Sequence, residues 1–296
     1  RVVVASPEGE RLGEFPVEDP EQIAVNPAGG EIYVLCRQAP AGTVPKDIGP
    51  MSMKEYRAWK ARRAERQANA PAKRKPKLVK LSAWKPDAKP EELARLNEGF
   101  KLMALDSEAS PAQLWVVGKG GLRPVTDKGK ELVVGGPVGR GTGLGHPGRI
   151  VGDVERNRAL VYNLSSNYKV EAFDLDSGKK TRVLDCVSDF AVGPGGIIYG
   201  TGTYNSRDLL RFTADGKPLN FEGADSNRVK IAPFWVGGVN LGMRGMTVSA
   251  AGYVYLVRVA GEKGVQSRVD VFGPDGKLKK AALVDGLGQG DCGIGV

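Results

Sequence analysis

His146 is the only histidine of this chain, and that count removes whole classes of chemistry. A zinc centre held by several histidines cannot be assembled, and a Ser-His-Asp relay would have to run through His146 alone. His146 lies in a glycine-rich run, Gly135 to Gly148, with a G-x-G-x-x-G spacing at Gly143, Gly145 and Gly148. A dinucleotide site requires a helix to begin there, so that its amide groups meet the pyrophosphate. Pro147-Gly148 leads instead into Arg149-Ile150-Val151, which starts a strand, so the run reads as a crossing between elements. Asp174-Leu175-Asp176-Ser177-Gly178 resembles half a calcium loop but lacks the closing Glu and reads as a hairpin corner. The three cysteines, Cys36, Cys186 and Cys292, form no Cys-x-x-Cys-His and are too widely spaced for a zinc knuckle, which leaves them as buried apolar thiols. Asn163-Leu164-Ser165 is a glycosylation sequon that reads as an ordinary strand end.

The remaining residues with chemistry to offer are cationic. Between Lys54 and Lys80 stand eleven Lys or Arg against Glu55 and Glu65, a net of +9 that equals the +9 of the whole chain. Tyr56, Arg57, Trp59, Arg62, Arg63, Arg66, Lys73, Arg74 and Lys75 could form an electrostatic arm for a protein, an acidic polymer or a nucleic acid, with the two aromatics available to stack or dock. The first half predicts a helix, with Ser52 and Glu55 as a capping box and Pro71 beyond its end, and Pro71 to Lys77 is too rich in Pro and Lys for regular structure. The same residues also fit a solvated helix clamped to a sheet edge by Met53, Tyr56 and Trp59.

What would position these groups is a repeated pair of corners. One is a Pro or Asp closely followed by Gly: Ser6-Pro7-Glu8-Gly9, Thr126-Asp127-Lys128-Gly129, Leu175-Asp176-Ser177-Gly178, Thr213-Ala214-Asp215-Gly216, Gly273-Pro274-Asp275-Gly276, and the degraded Trp84-Lys85-Pro86-Asp87. The other is a Gly turn between an apolar strand and an aromatic one, as in Ile23-Ala24-Val25 with Ile32-Tyr33-Val34-Leu35, Phe190-Ala191-Val192 with Ile197-Ile198-Tyr199, and Met246-Thr247-Val248 with Tyr253-Val254-Tyr255. Looser copies join Leu102-Met103-Ala104-Leu105 to Leu114-Trp115-Val116-Val117, and Ile150-Val151 to Leu160-Val161-Tyr162. Gly, Pro, Asn and Asp suit turns of fixed or positive φ, and Val, Ile and Tyr suit a pleated surface. Four short strands in a period of roughly 40 to 50 residues predict an all-β chain built as a β-propeller.

The copies from Phe190 to Leu219, with Asn205 and Arg207, and from Met246 to Leu278, with Arg268-Val269-Asp270-Val271-Phe272, resemble the NHL-repeat family of propellers. That resemblance implies a fold more than an activity, because related propellers include enzymes, RNA binders and scaffolds. Six outer and five inner corners predict five complete four-stranded blades and a sixth assembled from both ends, 1–15 and 291–296, with one strand missing. The chain, 1–296, is expected to be one propeller and part of a longer chain or assembly, in an extracytoplasmic or secreted setting. In such a ring Cys36 and Cys292 belong to neighbouring blades, which leaves a disulfide between them as the alternative to free thiols. The lactonase-like propellers hold a central metal through a Glu, Asn and Asp residues preceding inner strands. That likeness makes Glu21 a ligand candidate and sets Asp189 at an Asn position, but places Arg244 where the Asp belongs, and a cation repels a metal.

No stretch reaches the ~20 apolar residues of a membrane helix, the best being the uncharged Ile231 to Met243. The insertion, 40–76, falls between a second and a third strand. In a propeller such loops share a face with the connections between blades, here the long Gly135–Arg149, Gly223–Gly245 and Asp285–Asp291 segments. The sequence thus predicts a non-catalytic binding or scaffolding propeller with no cofactor, which engages a protein or acidic polymer through this face and its insertion. Glu21, His146, Asp189 and Arg244 are its candidates for the channel or this face, and a metal-dependent hydrolase or an RNA-binding propeller is the alternative.

Overall fold

The repeated corners join hairpins into sheets of one plan. The computed structural model describes residues 2–6, 10–17, 20–26, 29–36, 76–82, 89, 91–95, 102–106, 113–118, 121–129, 131–138, 147–163, 169–202, 208–231, 245–260 and 266–287. Two strands, β1 (Val2–Ala5) and β2 (Arg11–Phe15), pair by themselves. Blade one follows with β3 (Pro20–Val25), β4 (Ile32–Cys36), β5 (Lys77–Leu81) and β6 (Glu91–Arg95). Blade two is β7 (Leu102–Asp106), β8 (Gln113–Gly118), β9 (Gly121–Asp127) and β10 (Leu132–Val134). Blade three is β11 (Pro147–Asp153), β12 (Arg158–Asn163), β13 (Lys169–Asp174) and β14 (Lys180–Leu184). Blade four is β15 (Val187–Val192), β16 (Ile198–Gly202), β17 (Asp208–Phe212) and β18 (Arg228–Lys230). Blade five is β19 (Gly245–Val248), β20 (Val254–Ala260), β21 (Gln266–Phe272) and β22 (Leu278–Leu287).

Every sheet is an antiparallel meander in sequence order, and the first strands of successive blades, β3, β7, β11, β15 and β19, pack one against the next. They are therefore innermost, as Ile23 to Val25, Phe190 to Val192 and Met246 to Val248 predict. The fold is an all-β propeller with five four-stranded blades among the described residues. Where six were expected, the remaining sheet there has the two strands β1 and β2, and 291–296 lie outside the described residues.

The second strands β4, β12 and β16 are buried along nearly their whole length, because both faces of a blade meet a neighbour. Tyr33 and Leu35 of β4 join Leu114, Val116 and Val125 of blade two, whereas Ile32, Val34 and Cys36 of the same strand join Val2, Phe15 and Val17. Blades two and three close over Trp115, Val117, Ile150 and Phe173, and blades four and five over Tyr199, Leu209, Phe221, Leu256 and Phe272. These interleaved cores, at roughly 25 cal/mol per Å² of apolar surface removed from water, hold successive blades together.

The tight corners also dock blade on blade. Gly276, at φ +73°, ends the corner before β22, and a Cβ there would stand 2.5 Å from Val229 Cγ2 and 3.0 Å from the Phe221 ring. Only glycine combines that φ with that approach. Arg158 donates to the Ala214 carbonyl at 2.6 Å and Arg156 to the Gly195 carbonyl at 2.8 Å, tying blade three to two corners of blade four. Among the described residues no helix is long and apolar enough to cross a membrane.

Candidate functional site

The inner strands of blades one, three and four begin with the same irregularity. Register slips between Pro20 and Gln22, between Pro147 and Arg149, and between Val187 and Asp189. A bulge inserts one residue and re-aims the side chains that follow it. Gln22, Arg149 and Asp189 are thus the first regularly paired residues at the end of the channel where inner strands start. Ser188, the residue at the slip of β15, lies within 2.9 Å of the Gly202 carbonyl and 3.0 Å of the Thr201 hydroxyl.

Arg149 uses this placement to join three blades. Its Nη1 donates to both carboxylate oxygens of Asp189, at 2.8 and 3.0 Å, and its Nη2 donates to the Met246 carbonyl of β19. The Phe190 amide donates to Asp189 Oδ1 at 2.8 Å. Asp189 is 7% exposed. Burial pushes its carboxyl up from the ordinary value, and Arg149 and the Phe190 amide offset part of that rise. A guanidinium stays protonated and has only donors, so the pair is poorly suited to move a proton. It can brace the start of the inner strands, where it links blades three, four and five.

A second polar cluster lies between blades one and two. Tyr33 donates to Asp127 Oδ2 at 2.7 Å, Lys80 donates to the same oxygen at 2.5 Å, and the Gly129 amide donates to Oδ1 at 2.7 Å. Lys80 also lies 5.6 Å from the Tyr33 ring centre, its cross-strand partner, and Arg211 stands 5.9 Å from the ring of its partner Tyr199 in blade four. Burial and then the bond to Asp127 push the Tyr33 hydroxyl far up, so it is no nucleophile at neutral pH. Burial pushes Asp127 up as well, but the bonds from Lys80, Tyr33 and Gly129 outweigh it and hold the carboxyl below its usual value. A third cluster buries Asp270 completely, with Arg258 at 2.5 Å, Arg268 at 3.0 Å and the Ala282 amide at 2.8 Å.

Glu21 occupies the slip of β3, one position before the register of Asp189. His146, Arg244 and all nine residues proposed for the basic arm, Tyr56, Arg57, Trp59, Arg62, Arg63, Arg66, Lys73, Arg74 and Lys75, lie outside the described residues. The charge run divides, however, because Lys77 and Lys80 belong to β5 and Lys80 is spent on Asp127 inside the fold. The G-x-G-x-x-G spacing runs into β11 and not into a helix. Asp174 closes its own turn by accepting from the Ser177 amide and hydroxyl. Asn163 ends β12 with a buried amide that donates to Glu171 at 3.5 Å. Cys36 is buried, its thiol 3.7 Å from the Val34 carbonyl, and Cys292 lies outside the described residues, whereas Cys186 corrects the expectation of buried cysteines: it is an exposed free thiol at φ 55°. Sequence reading passed over Arg149, although opposite charges 40 residues apart, one repeat, at the start of two inner strands were the available signal.

No protein-family model matches the chain, and no curated protein matches its sequence. Among solved structures, a chain of the nidogen/laminin complex is similar with a TM-score of 0.55 at 12% identity, over 92% of this chain and 82% of that one. A structural-genomics protein from Bacteroides thetaiotaomicron gives 0.52 at 13% identity, over 96% of this chain and 66% of that one. At such identities the likeness bears on the fold alone, and the fold is the β-propeller.

Proposed function

We propose that this chain is a non-catalytic, NHL-like propeller that binds a protein or acidic polymer through the face where its inner strands begin. The basic segment ahead of β5 is the electrostatic part of that surface. The observation that carries this reading is the Arg149 bridge. It occupies the channel mouth with an internally neutralised pair, and its Asp189 is engaged on both oxygens, which suits a braced platform better than a reaction centre. Two pairings support the location of the arm: Cys36 with Lys77, and Pro20 with Cys36. They bring Cys36 and Lys77, where that connection leaves β4 and enters β5, to the end of the blade where β3 starts.

The test removes residues 50–75 behind a short Gly-Ser linker and keeps Pro76, which is buried. Loop closure depends only weakly on length, so folding should survive. Binding to immobilised polyglutamate and to a single-stranded RNA is compared at low and high salt, because screening acts over ~8 Å at physiological ionic strength. Salt-sensitive polyglutamate binding that disappears with the segment supports the proposal. Tighter binding of RNA at equal charge would transfer it to the RNA-binding alternative, and lactone hydrolysis dependent on an added divalent ion would refute the non-catalytic reading.

A further inference from the structure

Away from the channel, blades four and five part into a cleft of about 360 Å³, lined by Val229, Lys230 and Ile231 from one side and by Arg258, Phe272 and the Asp275–Leu278 corner from the other. Its walls are apolar: Ile231 and Phe272 are buried, and Leu278 at the rim is 50% exposed. Its polar lining is cationic, with Lys230, Arg258 and Lys277 against Asp275. Asp275 is itself occupied, since Lys279 donates to its Oδ2 at 2.8 Å and the Lys277 amide to its Oδ1 at 3.1 Å. Arg258 is anchored on the buried Asp270, so its guanidinium is held in place and not swinging in solvent. Gly276 keeps the cleft wall thin where Val229 and Phe221 press against it. The volume falls at the small end of ligand pockets, which run from about 300 to 1,000 Å³.

We infer that this cleft binds a small amphiphilic carboxylate, its hydrocarbon against Ile231, Phe272 and Leu278 and its anionic head against Lys230 and Lys277. Apolar walls reward a hydrocarbon, and the ammonium groups of Lys230 and Lys277 select a negative head over a neutral or positive one. The cleft is too small for a folded partner, and its lining shares no residue with the Arg149 bridge or with the 40–76 segment, so this inference stands independently of that proposal.

Hexanoate, heptanoate and octanoate are the probes, titrated into the full chain by calorimetry, with octanol and octylamine as head-group controls. Affinity should rise about fourfold per methylene. In the Lys230→Gln, Lys277→Gln double variant octanoate affinity should fall by roughly tenfold. Both lysines are exposed, and circular dichroism with thermal unfolding checks that the variant keeps its fold. A Leu278→Asp variant, which puts a like charge at the rim, should also reject octanoate. Octanol binding as tightly as octanoate, octanoate binding unmoved in a folded double variant, or no saturable binding of any carboxylate overturns the inference. Exclusive binding of an apolar peptide with a free C-terminus, tested beside its amide, overturns it as well, since the occupant would then be polypeptide.

Discussion

Replacing Arg149 by Met keeps the length of the side chain and removes its charge, which leaves Asp189 buried without its cation and the Met246 carbonyl without that donor. Breaking a buried pair from one side costs about 3–5 kcal/mol, and because the Arg149 side chain is 23% exposed the lower end, about 3 kcal/mol, is expected. At ~2.1 cal/mol/K per residue, a chain of 296 residues unfolds with an entropy of ~0.6 kcal/mol/K, so Tm should drop by ~5 °C. The loss should depend on pH in a defined direction. The Asp189 carboxyl already lies above its ordinary value, and without Arg149 it rises further. A carboxyl raised in the folded state contributes stability that is complete below its unfolded pKa of ~3.9 and is lost as pH rises through the folded pKa. The deficit of the variant relative to the parent should therefore be smallest at acid pH, where Asp189 is protonated in both, and grow as pH rises through the folded-state pKa. Urea unfolding across that range reads it directly. Adding Asp189→Asn removes the stranded charge and should restore most of the loss, which makes a double-mutant cycle. A deficit below about 1 kcal/mol, a deficit that does not change with pH, or no recovery in the double variant would show that the bridge is incidental.

Tyr33→Phe removes one donor from Asp127 while Lys80 and Gly129 remain, and should cost about 1 kcal/mol in urea unfolding. Lys80→Met should act on the acid limb: Asp127 is held low in the folded state, so its contribution is present above the unfolded pKa and lost as pH falls through the folded one. The variant's deficit should thus be largest at neutral pH and shrink as both proteins are acidified, as followed by denaturation at stepped pH. Gly276→Ala must place a Cβ 2.5 Å from Val229 at φ +73° and should destabilise by about 2–3 kcal/mol. In a Cys292→Ser background, a thiol reagent should label Cys186 at once in the native protein and Cys36 only on unfolding, as their exposure dictates.

Local chemistry dictated much of the architecture. An Asp-Gly or Pro-Gly corner can be made by few other residue pairs, so the hairpins at Asp127–Gly129, Asp176–Gly178, Asp215–Gly216 and Asp275–Gly276 were legible, and their spacing carried the four-stranded blade with it. Ile32 to Leu35 and Ile197 to Tyr199 were legible as strands, whereas the burial of β4 and β16 on both faces comes from the neighbouring blades. The partners of the buried charges were not legible. Asp189 meets Arg149 and Asp127 meets Lys80 because separate blades, 40 and 47 residues apart in sequence, dock on one another, and Asp270 meets Arg258 diagonally across the adjacent strands β20 and β21. Composition cannot tell a lysine in a basic run from one folded under a neighbouring blade, and Lys80 was counted with the arm for that reason. The cleft between blades four and five is likewise a product of packing: Ile231, Arg258 and Leu278 share no local pattern, and only the docking of one blade on the next sets their side chains around a common space.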